Sequence, residues 1–106
     1  MSKNLKEIQA EIETVKQEIM ALGIMRPGSI SLQTRQNGKQ YYQLSYTFQK
    51  KGRTEYIRPE FKEQVDLQNE QFRKFKALSD ALIQLNIDYS RLEMELGKQP
   101  LEGTRK

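Results

Sequence analysis

The chain has 106 residues, of which 36% are hydrophobic and 30% are charged, and its formal net charge is +4. A chain of this length forms one domain with a modest hydrophobic core. Cysteine and histidine are both absent, which excludes disulfide bonds, thiol nucleophiles, imidazole bases and nearly every structural zinc site. We therefore expect a protein that is not an enzyme and that holds no cofactor and no metal ion.

The first predicted element is a helix over about residues 3–22. Its apolar residues recur at alternating steps of three and four, which places them in one seam along a helix: Leu5, Ile8, Ile12, Val15, Ile19 and Leu22. Ser2 or Asn4 is the expected N-cap of this helix, and Gly23 is its expected C-terminal stop.

A β-region is predicted next, because Pro27-Gly28 breaks the helical pattern and the following residues alternate like strands. Asn37-Gly38 between two alternating runs is the strongest short-range signal for a hairpin. The segment 50–52, Lys-Lys-Gly, supplies a second turn. Three antiparallel strands are therefore predicted, near residues 29–35, 40–49 and 53–58.

The two faces of the predicted central strand differ in character. One face is largely apolar: Gln40, Tyr42, Leu44, Tyr46 and Phe48. The other face is polar: Tyr41, Gln43, Ser45, Thr47 and Gln49. On the outer strands, the residues expected to join the apolar face are Ile30, Leu32 and one of Tyr56 or Ile57. Those expected on the polar face are Ser31, Gln33, Arg35 and Arg53.

A second helix is predicted over about residues 59–97, because Pro59 suits the first turn of a helix. At 1.5 Å per residue it would be roughly 58 Å long. Its first half presents an aromatic-rich set that we expect to cover the sheet: Phe61, Val65, Phe72 and Phe75. Its second half presents a seam that we expect to pair with the first helix: Leu78, Leu82, Leu85, Tyr89, Leu92 and Leu96.

Together these elements predict an α+β fold, in which an antiparallel helical hairpin carries a three-stranded antiparallel meander between its helices. Residues 1–97 are expected to form this single domain, and residues 98–106 a flexible C-terminal tail. The apolar seam of a helix does not indicate whether the helix that it packs against belongs to the same chain or to another one. Pairing of the seams between chains, and a homodimer through the helices, therefore stay open.

Positive charge is concentrated in the predicted sheet. Residues 26–58 contain seven arginines and lysines and one acid, a net of +6, so the remainder of the chain carries −2. Arginine and lysine contact phosphates, and arginine and glutamine read base edges in the major groove, which admits a β-sheet. We therefore predict binding of nucleic acid, duplex DNA or structured RNA, through nine residues: Gln33, Arg35, Lys39, Gln43, Ser45, Thr47, Lys50, Lys51 and Arg53.

Two other interpretations of these residues stay open. A polar sheet face is commonly just solvated, since threonine and tyrosine are ordinary strand formers and lysine protects turns and edges from aggregation. Alternatively, the protein is an assembly or adaptor subunit that acts through its helical coiled-coil surface and binds no nucleic acid. Neutralising Lys50, Lys51 and Arg53 distinguishes the two functions, because only nucleic-acid binding depends on those charges.

The sequence contains no signal for a membrane or for a small-molecule substrate. No apolar run approaches the ~18 residues of a membrane span, and the N-terminus lacks the apolar segment of a signal peptide. No glycine-rich loop has the spacing of a nucleotide-binding motif. We therefore expect a cytoplasmic protein.

Three motifs stand out in the predicted β-region: MRPGS at residues 25–29, YYQLSYT at 41–47 and GRTEYIRPE at 52–60. With this order of helix, hairpin and long helix, the chain resembles a family of small bacterial and archaeal proteins known as a domain of unknown function. Many members carry a cysteine-rich insertion between the first two strands. Residues 35–39 stand in its place here, so no metal-dependent role carries over. Members often occur near transposases, and the resemblance implies a cytoplasmic, non-enzymatic accessory of mobile DNA.

Overall fold

The computed structural model describes residues 3–97 of the chain. It contains a helix α1, strands β1 to β3, and a long helix α2 preceded by a 3₁₀ turn. Their bounds are α1 Leu5–Met20, β1 Ser29–Thr34, β2 Gln40–Phe48, β3 Lys51–Ile57, the 3₁₀ turn Pro59–Phe61 and α2 Lys62–Gly97. The predicted α+β fold is confirmed, and the predicted tail at 98–106 lies outside the described residues. Neither helix in the described range is long and apolar enough to cross a membrane.

Helix α1 begins where the sequence supplies a capping box. The Oδ1 of Asn4 accepts from the backbone N–H of Glu7 at 2.8 Å, and the Glu7 carboxylate accepts from the N–H of Asn4 at 3.0 Å. These two bonds satisfy N–H groups that the start of a helix otherwise leaves free. The helix ends at Met20 rather than at the predicted stop, Gly23, whose N–H donates to the Oε1 of Gln71 at 2.9 Å.

The three strands form an antiparallel meander in the order β1-β2-β3. At its centre, Leu44 lies opposite Ile30 of β1 and Glu55 of β3. Strand β3 begins at Lys51, earlier than the predicted start at residue 53, because the turn between β2 and β3 contains only residues 49 and 50. This earlier start decides which side chains of β3 share a face with those of β2.

The described residues form two compact units. The sheet unit, residues 22–76, contains the three strands and the N-terminal part of α2, and the helical unit contains residues 3–21 with 77–97. The core of the sheet unit consists of buried Leu44, Ile57 and Val65, with Ile30, Tyr42 and Tyr46 packed against them. Full burial of one such aliphatic side chain stabilises a fold by roughly 1.5–3 kcal/mol.

Helix α2 contributes Val65 to the core of the sheet unit, in agreement with the sequence pattern. Phe61, which the pattern predicts beside it, lies in the 3₁₀ turn and is 45% exposed. Phe72 and Phe75 are half-buried and contact each other, with ring centroids 6.3 Å apart. The residue of α2 in the core cluster is thus aliphatic, not aromatic.

The helical unit is built on the two predicted seams. Ile8 and Ile12 of α1 are buried, and Ile8 shares a groove with Leu85 and Leu92 of α2. The other residues of both seams are half-buried, except Leu96, which is exposed. Helix α1 and the C-terminal part of α2 therefore pair as the helical hairpin that the seams predict.

The segment before β1 is fixed to α2 through its backbone. The N–H of Arg26 donates to the carbonyl of Gln68 at 3.0 Å. The Nδ2 of Asn69 donates to the carbonyl of Arg26 at 2.9 Å and to that of Pro27 at 3.5 Å. Asn69 is 2% exposed, and leaving a buried polar group unpaired costs about 1–3 kcal/mol. These bonds therefore fix the chain at its entry into the sheet.

Gly28 follows this segment, in a conformation and a space that suit glycine alone. Its φ is +110°, and an added Cβ would lie 2.5 Å from the carbonyl oxygen of Ser45 and 2.8 Å from the Cβ of Tyr46. We expect Gly28→Ala to lower the free energy of unfolding by at least about 3 kcal/mol, because a clash with backbone adds to left-handed strain. The measurement is urea unfolding followed by circular dichroism.

The matched control for this substitution is Gly38→Ala. Gly38 also has a positive φ, +85°, but an added Cβ would meet no atom within 4 Å. Only the conformational strain remains, so we expect a loss of about 1 kcal/mol. Equal losses for the two variants would contradict the close packing of Gly28 against β2.

Candidate nucleic-acid interface

One face of the sheet, here called the outward face, is uncharged on all three strands. It is the face opposite to the one that holds buried Leu44. The register arranges it in rows: Gln33 with Tyr41, Ser31 with Gln43 and Tyr56, Ser29 with Ser45 and Thr54, and Thr47 with Gly52. Four of the predicted contact residues share this face: Gln33, Gln43, Ser45 and Thr47.

Hydrogen bonds along the strands orient the polar groups of the outward face. The Nε2 of Gln33 donates to the Oγ of Ser31 at 2.8 Å. The Nε2 of Gln43 donates to the Oγ of Ser45 at 3.4 Å, and the Tyr41 hydroxyl donates to the Oε1 of Gln43, also at 3.4 Å. Bonds of 3.4 Å are weak, so the amide of Gln43 is held in place but remains available to a ligand.

Two tyrosines of the outward face lie beside Arg35, the first residue of the turn after β1. The rings of Tyr41 and Tyr56 lie 6.4 Å apart between centroids, and the guanidinium carbon of Arg35 lies 4.5 Å from the centroid of the Tyr41 ring. Tyr56 is 59% exposed. Such a cluster stabilises the sheet through a diagonal cross-strand pair, and it also offers an aromatic surface on which a base could stack.

Sequence reasoning leaves Tyr56 open between the two faces, and the structure places it on the outward one. Its neighbour Ile57 fills the core position instead. The deciding feature is the two-residue turn between β2 and β3, which sets Tyr56 opposite Gln43. The only signal for this choice in the sequence is the greater hydrophobicity of isoleucine.

The turn between β1 and β2 brings two bases together, at what we call the Arg35 end of the sheet. The N–H of Arg35 donates to the carbonyl of Lys39 at 2.7 Å, and the N–H of Gly38 donates back to the carbonyl of Arg35 at 2.9 Å. The Oδ1 of Asn37 accepts from the N–H of Lys39 at 2.9 Å. Asn37-Gly38 thus closes a hairpin where the sequence predicts one, and the two residues that the first backbone bond joins, Arg35 and Lys39, are both basic.

The turn between β2 and β3 forms the Lys50 end of the sheet, which contains Lys50, Lys51 and Arg53. Gln49 and Lys50 have φ values of 55° and 67°, as a two-residue turn that follows the twist of its strands requires. Asparagine and glycine are the usual residues at such positions. Strand β2 has nine residues, so the two ends are roughly 27 Å apart at ~3.4 Å per residue.

Two of the predicted contact residues lie on the face opposite to the outward face. Arg53 lies opposite Tyr46 and Lys51 opposite Phe48, on the same face as Leu44. The guanidinium carbon of Arg53 lies 6.0 Å from the centroid of the Phe48 ring. The expectation that Arg53 joins the polar face is therefore wrong, because β3 starts earlier than its composition suggests.

The single acid of the sheet, Glu55, forms an ion pair within the sheet unit. The Arg26 guanidinium donates to its carboxylate, and the Tyr46 hydroxyl donates to it at 3.1 Å. The hydrogen bond from Arg26, assisted by the one from Tyr46, holds the pKa of Glu55 below its ordinary value of 4.5. The same bond raises the pKa of Arg26 further above its ordinary value. Arg26 is therefore occupied within the fold.

The remaining bases of the sheet are free to meet a ligand. Arg58 lies 4.0 Å from Glu60. Within residues 3–97, no acid lies within 4.0 Å of the other five bases of the segment, which are Arg35, Lys39, Lys50, Lys51 and Arg53. These are the five bases predicted to contact nucleic acid, and none of them has a counter-charge in the described part of the chain.

The fold defines a class of small α+β protein, which combines a helical hairpin with a three-stranded sheet that has a polar face and two basic ends. A family model described as Domain of unknown function (DUF6788) matches residues 5–66, which is more than half of the chain. The chain belongs to this family. The match covers α1, the whole sheet and the start of α2. No curated protein and no solved structure matches the chain.

Removal of the Glu55 charge tests the internal ion pair. Because the pKa of Glu55 is lowered on folding, the carboxylate stabilises the protein above its unfolded pKa, and this contribution is lost as the pH falls through the folded value. We expect Glu55→Gln to lower the free energy of unfolding at pH 7 by no more than about 1 kcal/mol, since the partly exposed pair is screened by solvent. Urea unfolding at pH 7 and in acid measures the loss, which should vanish once Glu55 is protonated.

The control for this pair is Glu70→Gln, which removes an exposed acid of the same unit that has no ion pair among residues 3–97. It should change the stability little at either pH. A loss for Glu55→Gln that persists unchanged in acid would show that the hydrogen-bonding shape of the side chain matters and its charge does not.

Lys50 occupies a backbone conformation that glycine adopts more easily. We expect Lys50→Gly to raise the free energy of unfolding by about 1 kcal/mol, because glycine reaches positive φ without a steric cost. Lys51→Gly, the same change one residue later and inside β3, should lower it, because glycine weakens a strand. Thermal unfolding of both variants checks the opposite signs, and a loss at position 50 would contradict the turn assignment.

Proposed function

We propose that this protein binds nucleic acid, with duplex DNA as its first expected ligand, through the outward face of its sheet and the two basic ends. The observation that carries the proposal is the absence of internal counter-charges at these ends. Five bases have no acid within 4.0 Å in the described part of the chain, and the one acid of the sheet is paired with Arg26. Positive charge that the fold leaves uncompensated attracts a polyanion.

The proposed contacts follow from the position of each side chain. Arg35 and Lys39 at one end, and Lys50 and Lys51 at the other, would contact phosphates. Between them the outward face would meet the bases, because side-chain amides and hydroxyls donate to and accept from base edges. The residues with this role are Gln33, Gln43, Ser45 and Thr47. Arg53, which lies on the opposite face, would strengthen the positive field of the Lys50 end without reaching the bases.

The conformation of Lys50 gives independent support to this proposal. A lysine with positive φ at a turn position that favours glycine is retained at a cost in stability. Strained residues of this kind cluster at sites of function. A lysine at the exposed tip of a turn is useful chiefly for its charge, which here is presented beyond the end of β2.

The proposal includes a biological setting. The resemblance described above implies a non-enzymatic accessory of mobile DNA, and the composition fits a cytoplasmic protein. Binding of DNA with little dependence on sequence would suit such a role, because phosphate contacts supply affinity without reading bases. The family itself assigns no activity, so this setting rests on the resemblance and on the charge of the sheet.

Fluorescence anisotropy of a labelled mixed-sequence duplex, titrated at several salt concentrations, tests the proposal. Four phosphate contacts predict that log K falls against log salt with a slope of about −3.6, at about 0.9 per contact. The double variant Lys50→Gln/Lys51→Gln should reduce the magnitude of this slope by about 1.8 and weaken binding at low salt. The double variant Arg35→Gln/Lys39→Gln should do the same, because it removes the other end.

The control removes the same charge elsewhere. Arg73→Gln/Lys74→Gln changes two exposed bases of α2 and should leave the salt slope nearly unchanged. Equal effects of all three double variants would show that binding depends on the total charge of the protein and not on this interface. The absence of binding at low salt would overturn the proposal. A single-stranded oligonucleotide in a parallel titration reports whether Tyr56 stacks on bases: in that case Tyr56→Ser weakens single-strand binding far more than duplex binding.

The second candidate, an assembly or adaptor protein, has one observation in its favour. The C-terminal part of α2 exposes large apolar side chains, among them Ile83 at 57% and Met94 at 64%. Exposed apolar residues on one helix face commonly mark a protein interface. This surface belongs to the helical unit, and none of its residues belongs to the outward face.

A further inference from the structure

The C-terminal part of α2 is apolar on two sides. One side carries the seam that pairs with α1 in the helical unit. The second side, here called the free face, carries Ile83, Ile87, Ser90 and Met94, which recur at steps of four, three and four. At 100° per residue the free face lies roughly 150° around the helix from the α1 seam. Helix α1 therefore cannot cover it.

The free face is exposed in the described structure. Ile83 is 57% exposed, Ile87 39% and Met94 64%, and these side chains line one shallow groove together with Asn86, Ser90 and Arg91. A helix that packs on one neighbour needs one apolar stripe, and its opposite side is normally charged or polar. A second apolar stripe at heptad spacing is typical of a helix that contacts two neighbours.

We propose that the free face binds the free face of a second copy of this chain, with the two α2 helices antiparallel. A twofold axis between residues 88 and 89 would place Ile83 of each chain opposite Met94 of the other, and Ile87 opposite Ser90. The two outer layers then pair two large side chains, and the two inner layers pair a large side chain with a small one. Each copy contributes four side chains over roughly 16 Å of helix.

The charges beside the free face favour this orientation. In the antiparallel arrangement Arg91 meets Gln84 of the second copy, and Glu93 meets Asn86, so each charge faces an amide. The seam ends with Asp80 opposite Gly97, which has no side chain. In a parallel arrangement Asp80 would instead lie opposite Asp80 of the second copy. Like charges that face each other directly destabilise a pair of helices.

The size of the free face sets the expected strength of this dimer. Four side chains from each copy bury less than a standard stable interface of about 1,600 Å² in total. We therefore expect a reversible dimer with a dissociation constant in the micromolar range, on the order of 10 µM. Such an interface changes with protein concentration, which makes it directly measurable.

Sedimentation equilibrium of the full chain, from about 5 to 500 µM, tests the proposal. The mass should rise from that of the 12.5 kDa chain towards twice this value. Ile83→Glu/Ile87→Glu should remain monomeric throughout, with unchanged helix content by circular dichroism, because both side chains are exposed in the single chain. Leu67→Glu is the matched control: Leu67 is also 57% exposed on α2, but it lies off the free face and its variant should dimerise normally.

Disulfide trapping tests the register, because the chain contains no cysteine of its own. A mixture of Ile87→Cys and Ser90→Cys chains should oxidise mainly to the mixed dimer, since these positions face each other in the antiparallel seam. Preferential formation of the Ile87→Cys homodimer would indicate a parallel pair and overturn the arrangement. A chain that stays monomeric at every concentration, or a dimer that survives the double glutamate substitution, would overturn the proposal itself.

Discussion

The attachment of residues 26–28 to α2 is the constraint on which the sheet unit depends. The N–H of Arg26 bonds to α2, its carbonyl accepts from buried Asn69, and its side chain pairs with Glu55 of β3. Gly28 then passes so close to β2 that no Cβ fits. One short segment therefore holds α2, β2 and β3 in register, because backbone bonds, a buried amide and an ion pair all converge on it.

The same constraint shapes the electrostatics of the surface. Arg26 belongs to the basic segment by sequence, but the fold uses its charge to neutralise Glu55. Glu55 lies on the face that holds Leu44, so the outward face carries no acid, and the bases at its ends have no acid within 4.0 Å among residues 3–97. A structural ion pair on one side of the sheet thus separates two roles of arginine: Arg26 holds the fold together, and Arg35 faces solvent.

The helices and the first hairpin were predictable because their signals are local. Apolar steps of three and four mark the seams, and Asn37-Gly38 marks a turn by its chemistry. The phase of β3 was not predictable, because it depends on a two-residue turn made of Gln49 and Lys50, which have no turn-forming composition. For this reason the prediction placed Arg53 on the wrong face of the sheet and did not decide on which face Tyr56 lies. The free face of α2 was not predicted, because the longer apolar seam that pairs with α1 dominates the pattern of the same helix.

The placement of Lys51 and Arg53 has a consequence for how the sheet ends. Strand β3 is an edge, and its free N–H and C=O groups could pair with a strand of another molecule. Charged side chains directed towards the covered side of an edge strand oppose such pairing, because a further strand would have to bury them. The residues that disagree with the sequence pattern thus limit the sheet to three strands at this edge. A strand of another molecule that approached β3 at this edge would meet these charges.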